Sequence, residues 1–187
     1  MHALKQLRIA ATTVAATTTG LLRIASARRG PARVLLAPGD PAPDFELPGS
    51  DGLIHRLADS RGREAIVIAW FPKAFTGGCT AECESIARST ASFGQFPVKV
   101  FGASVDRVET NRRFAASVGA EFPILSDVDG RVARAYGVLG ASGFPSRWTF
   151  YIGLDGIIVD VDRRVQTATH GDTIAARLAG IVGPRRT

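Results

Sequence analysis

An apolar run, Ala65-Ile66-Val67-Ile68-Ala69-Trp70-Phe71, stops at Pro72, and a short loop later the chain carries both of its cysteines, Cys79 and Cys83. The run has the length and the β-branched and aromatic content of a buried strand. Pro72 ends it, because a central strand cannot spare a backbone donor. Gly77-Gly78 then permits a tight backbone path, and the pattern turns helical from Thr80 onward. Thr76 is placed to cap that helix, with its hydroxyl near the Cys79 N–H. A thiol in the first turn feels the positive end of the helix dipole and unpaired N–H groups, and both favour the reactive thiolate. The stretch predicts a reactive cysteine on a strand–loop–helix corner.

The other segments build an α/β frame around this corner. Phe45–Leu47 and Leu53–Leu57, joined through Pro48-Gly49-Ser50-Asp51-Gly52, read as a hairpin. A helix from the corner is expected to run to about Phe93, followed by a second buried strand over Val98–Ser104. Val108–Val118 has helical spacing, with Phe114, Ala115 and Val118 inward and Glu109, Asn111, Arg112 and Arg113 outward. A short strand at 122–127 and a short helix at 132–136 follow. Trp148–Ile152 and Ile157–Val161 form a hairpin about an Asp155-Gly156 turn, and Asp172–Val182 is the last helix. This order predicts a central mixed β-sheet flanked by helices, as in the thioredoxin-like fold, preceded by an N-terminal β-hairpin.

Charge divides the chain in two. The net charge of +6 suggests nucleic acid until it is located: Lys5, Arg8, Arg23, Arg28, Arg29 and Arg33 all fall in residues 1–39, which contain no acid. The rest holds 17 basic and 17 acidic residues and has no basic field, so no nucleic-acid partner is expected. Residues 1–39 are Ala/Thr-rich, too weakly apolar to span a membrane. They read equally as a targeting or membrane-surface segment and as a disordered tail. The folded domain is expected over 40–187, after the turn-rich stretch beginning at Pro38. Two cysteines in 187 residues make no disulfide scaffold. Their spacing points to a local redox or metal pair, and such thiols fit the cytoplasm.

Pro72-x-x-x-Thr76-x-x-Cys79, with Glu82 three residues on and Arg147-x-Thr149-Phe150 before a strand, resembles the active-site pattern of the peroxiredoxins (AhpC/TSA superfamily). The resemblance covers roughly residues 38–182 and is nearest the peroxiredoxin Q / bacterioferritin comigratory protein type. It implies a thiol-dependent peroxidase that acts on hydrogen peroxide and organic hydroperoxides without a cofactor or metal. Cys79 becomes the peroxidatic nucleophile, oxidised to sulfenic acid. Arg147 supplies fixed positive charge to thiolate and peroxide, since it does not lose its proton. Thr76 and the Cys79 N–H hold the peroxide, Pro72 shapes the pocket, and Glu82 orients an arginine. Cys83 becomes the resolving cysteine, forming an intrachain disulfide that thioredoxin or a similar dithiol reduces. In the peroxiredoxin Q pattern the second cysteine comes five residues after the first, whereas here it comes four after. On an intact helix such side chains have Cβ atoms about 5–6 Å apart, against about 3.8 Å in a disulfide, so the helix start must loosen. An intrachain pair needs no second subunit, which favours a monomer or weak dimer.

Other readings stand beside this one. Paired helical cysteines are often buried hydrophobes, Glu82 fits a solvated helix position, and Arg147 fits a surface strand start. A Sco-type copper protein places two cysteines at the same corner and adds a distant histidine. His170 falls after the hairpin rather than before its strand, and His2 and His55 have no metal-type spacing with it. A thioredoxin-like disulfide oxidoreductase calls for a closer cysteine pair.

Overall fold

The computed structural model describes residues 35–183. The described residues lie within one compact unit, Val34–Thr187, and the targeting, membrane-surface and disordered-tail readings of the N-terminal segment fall mostly outside them.

Strand β3 (Ala65–Trp70) is the axis of the fold, and all six of its residues are buried. Its side chains alternate between two cores, as a strand's period of two requires. Ala65, Val67 and Ala69 enter one core, with Phe114, Ile174, Leu178 and both cysteines. Ile66, Ile68 and Trp70 enter the other, with Phe45, Leu57, Tyr136 and Phe150. Each fully buried Ile or Val contributes about 1.5–3 kcal/mol over its exposed state, so a polar residue on either face of β3 is strongly disfavoured.

Five strands order as β5-β4-β3-β6-β7, with β4 (Val98–Ser104), β5 (Ile124–Ser126), β6 (Thr149–Ile152) and β7 (Ile158–Asp162). β3, β4 and β5 are parallel, whereas β6 runs antiparallel to β3 and to β7. The expected N-terminal hairpin is present as β1 (Glu46–Pro48) paired with β2 (Ile54–Arg56). Helices α1 (Gly77–Arg88), α2 (Thr90–Phe93), α3 (Val108–Ser117) and α5 (His170–Ile181) contribute to the first core, and α4 (Arg131–Ala135) to the second. Among the described residues, no helix is long and apolar enough to cross a membrane.

Three details depart from the sequence expectation. The helix expected to continue to Phe93 breaks at Ser89, whose N–H turns back to Ile86 O and whose hydroxyl reaches Asp172 on α5. Asn111, expected outward on α3, is fully buried. Its amide donates to Ser126 Oγ at 2.8 Å and Ser104 Oγ at 3.1 Å, tying α3 to the ends of β4 and β5. A buried amide with its hydrogen bonds made is stable inside, and hydrophobic periodicity is blind to that. The last helix begins at His170 rather than Asp172.

Candidate active site

Antiparallel pairing brings the two halves of the site together. Ala69 on β3 pairs with Thr149 on β6, and the Trp70 N–H donates to Trp148 O at 2.9 Å. Arg147, just before β6, is thereby set beside the loop that leaves β3. The Ala74 N–H in that loop donates to Asp106 Oδ2 at 2.8 Å, so the β4–α3 connection braces it from the other side. The sharp turn falls at Phe75, whose φ is 61°, and not at the glycine pair. Left-handed backbone is costly for a bulky residue. The Phe75 ring stacks edge-on against Phe114, with centroids 5.2 Å apart.

Thr76 is the N-cap residue of α1 by backbone geometry, but its hydroxyl makes no capping bond. It donates backward to Lys73 O at 3.0 Å, closing the loop, so the expected contact with the Cys79 N–H is absent. Lys73 O lies three residues back along the same turn and accepts the hydroxyl's hydrogen bond, while Thr76 itself is exposed.

Cys79 is fully buried in the first turn of α1. Arg147 Nη2 lies 3.3 Å from its sulfur, while Nη1 pairs with Glu82 Oε2. The planar guanidinium spans the Cys79 sulfur and the Glu82 carboxylate at once, which a lysine's point charge does not. Burial works against the Arg147 charge, but the Glu82 carboxylate and the Cys79 side chain outweigh it and hold the guanidinium above its ordinary value. Gly78 makes room for this. A Cβ there would lie 3.3 Å from Arg147 Nη2, so the glycine serves close approach of the arginine rather than the tight turn expected of it. Glu82 is 0% exposed, which excludes the solvated helix position and fits a residue that orients an arginine. Pro72, half-buried, starts the loop above β3.

Cys83 is equally buried, and both cysteines are free thiols. Burial, helped by the nearby Glu82 and Cys79 charges, pushes the Cys83 thiol far above its usual range. In this closed conformation it is a neutral thiol and a poor nucleophile.

One residue escaped the sequence reading. His170, set aside there, is 0% exposed; its Nδ1 faces Glu82 Oε1 at 2.9 Å and its Nε2 lies 2.9 Å from Thr149 Oγ1. The first contact is an ion-pair approach whose angle falls short of a proper hydrogen bond, and neither atom has another hydrogen-bond partner. The usable signal is a histidine opening an amphipathic helix, next to a glycine that admits close packing.

The AhpC/TSA family matches residues 38–161. The chain belongs to that family. A putative peroxiredoxin of Mycobacterium tuberculosis is 37% identical over 142 residues, 72% of this chain and 90% of its own length. The peroxiredoxin Bcp of Escherichia coli is 34% identical over 146 residues, 74% of this chain and 93% of its own. Among solved structures, the peroxidoxin BcpB of M. tuberculosis matches with a TM-score of 0.72 at 32% identity, covering 79% of this chain and 99% of that one. Peroxiredoxin Q of Xanthomonas campestris gives 0.69 at 30% identity, covering 79% and 97%. The family and these relatives place this AhpC/TSA member with the peroxiredoxin Q/Bcp type, on the thioredoxin-like fold expected from its element order.

Proposed function

We propose that this chain is a thiol-dependent peroxidase in which Cys79 is the nucleophile, Arg147 its electrostatic partner and Cys83 the resolving thiol. The observation that carries the assignment is the Arg147 Nη2 to Cys79 Sγ contact at 3.3 Å, at a helix N-terminus. The Cys79 thiolate attacks the terminal oxygen of a hydroperoxide. The S–O bond forms as the O–O bond breaks, and the departing alkoxide or hydroxide takes a proton from solvent. The fixed guanidinium stabilises charge on sulfur before the transfer and on the leaving oxygen during it. Thr76, exposed at the mouth of the loop, offers its oxygen to the substrate, and Pro72 walls the same side.

Cys79 sulfenic acid then condenses with the Cys83 thiol, releasing water and leaving a disulfide. Because both cysteines are buried one helical turn apart, this step requires the first turns of α1 to open. A dithiol reductant such as thioredoxin returns both thiols. Hydrogen peroxide and organic hydroperoxides are the substrate class, with Phe75 and Phe144 exposed around the loop as apolar surface. Cytoplasmic location and a monomer or weak dimer fit an intrachain thiol pair.

The copper-binding alternative is disfavoured by geometry. A cation lies against the Cys79 sulfur, and both ring nitrogens of His170 face other partners. The test is peroxide-dependent oxidation of NADPH through thioredoxin and its reductase. Wild type turns over, Cys79→Ser does not, and Cys83→Ser consumes one equivalent and stops. A wild-type protein that consumes no peroxide even once defeats the assignment.

A further inference from the structure

We propose that His170 is a positioning residue with two opposed effects: through Glu82 it holds Arg147 on Cys79, and it latches the part of α1 that must open for Cys83. The proposal rests on the reading of Cys79 as nucleophile and Cys83 as resolving thiol.

The first effect follows from what Glu82 lacks. Its carboxylate is 0% exposed, and a buried carboxylate is stable only with both oxygens served. Oε2 is served by Arg147, while Oε1 faces only His170 Nδ1. A carboxylate accepts and does not donate, so the proton of a neutral ring belongs on Nδ1. Nε2 then accepts the Thr149 hydroxyl, 2.9 Å away on β6. A continuous line runs Thr149–His170–Glu82–Arg147–Cys79, with one end anchored in the central sheet and the other on the reacting sulfur. Without His170, Glu82 keeps a single partner and gains freedom to turn. The guanidinium it anchors turns with it.

The second effect follows from where α5 grips α1. The Gly171 N–H donates to Ser85 Oγ at 3.1 Å, and Ser89 Oγ donates to Asp172 at 3.2 Å. The approach is so close that a Cβ on Gly171 would fall 2.2 Å from Ser85 O. These ties hold the second half of α1 and leave Gly77–Glu84 to open alone. Within that segment Glu82 ties the helix to its surroundings through an ion pair with Arg147 and a close polar contact with His170. Condensation of the cysteines must break them.

The two effects carry opposite signs for the two half-reactions. Sulfenic acid formation is timed by rapid quenching in a Cys83→Ser background. Disulfide formation is timed by mass spectrometry after a peroxide pulse with Cys83 intact. In His170→Leu the first step slows about 10- to 100-fold, the range for a displaced catalytic group, while the second speeds up several-fold. In His170→Asn, whose amide can still donate toward Glu82, most of the first-step rate returns. Thr149→Val, a near-isosteric change that frees only the far end of the ring, slows the first step by a smaller factor. It carries the test if the leucine variant does not fold. Equal slowing of both steps, an unchanged first step in a folded variant, or an asparagine variant no better than leucine overturns the proposal. Wild type and Cys79→Ser run in parallel: no Cys79 oxidation in wild type defeats the peroxidase reading itself, and the proposal with it.

Discussion

Cys79 and Cys83 lie one turn apart on α1, both fully buried among the same apolar side chains. Around Cys79 stand a guanidinium nitrogen at 3.3 Å and the unpaired N–H groups of a helix start. Around Cys83 the balance of charge has the wrong sign: the neighbouring Glu82 carboxylate outweighs Arg147, adds to the effect of burial and keeps the proton on. Burial alone therefore does not decide whether a thiol is reactive. The charge that accompanies burial does, because a low dielectric strengthens attraction and repulsion alike. In the proposed cycle each cysteine serves one half, and the conformation that sets Arg147 on Cys79 keeps Cys83 a neutral thiol.

The sharpest way to break this contrast is to remove the fork that creates it. Arg147→Lys keeps the charge but leaves a compact ammonium that does not serve Cys79 and Glu82 together. We expect the single-turnover reaction with hydrogen peroxide to slow about 100-fold, the scale of losing one aligned donor to a developing oxyanion. Stopped-flow measurement in a Cys83→Ser background reads this step alone. A loss of less than a few-fold means that charge suffices and that the bridging geometry is incidental.

Alkaline pH acts on the other cysteine. The closed helix holds Cys83 protonated well above its ordinary range, whereas in an opened helix it titrates near about 8.5. Above that value the closed form binds more protons than the open one, so rising pH favours opening. The added bias approaches about tenfold per pH unit and is absent below the ordinary thiol value. Disulfide formation after a peroxide pulse should accordingly accelerate from about pH 8.5 upward. A flat profile between neutrality and pH 10 shows that Cys83 is reached without opening.

Much of this was legible in the chain. The limits of β4 match the expected Val98–Ser104, and β3 falls within its expected run, because apolar β-branched stretches with a proline at one end, Pro97 before β4 and Pro72 after the β3 run, admit few alternatives. The meeting of Cys79 with Arg147 was legible only through the resemblance, since pattern says nothing about which strand end lies beside which loop. His170 and Asn111 were misjudged for one shared reason. Each is a polar residue whose burial depends on partners remote in the chain, Glu82 and Thr149 for one, Ser104 and Ser126 for the other. Thr76 was legible as a cap position, but a hydroxyl's choice between a forward N–H and a backward carbonyl depends on loop geometry that composition does not encode.

The glycine pair offers the finest cut between the two cysteines' surroundings, because it separates stability from catalysis. Both residues open α1, and neither has a left-handed φ, so alanine is conformationally allowed at each. Alanine in place of glycine in a helix contributes up to about 1 kcal/mol. At Gly77 a Cβ meets nothing within 4 Å, so Gly77→Ala should raise the unfolding midpoint and leave the Cys79 rate unchanged. At Gly78 the Cβ lies 3.3 Å from Arg147 Nη2, and Glu82 prevents that guanidinium from yielding freely. Gly78→Ala should gain comparable stability yet react with peroxide a few-fold more slowly, through a displacement of a few tenths of an ångström. The pair is read by thermal unfolding and single-turnover kinetics on the same samples. If both variants keep the wild-type rate, the guanidinium has slack at the sulfur, and its reach to Cys79 does not depend on the missing Cβ. If only Gly78→Ala loses rate, the glycine is kept for the arginine, and the activation of Cys79 rests on a clearance narrower than a methyl group.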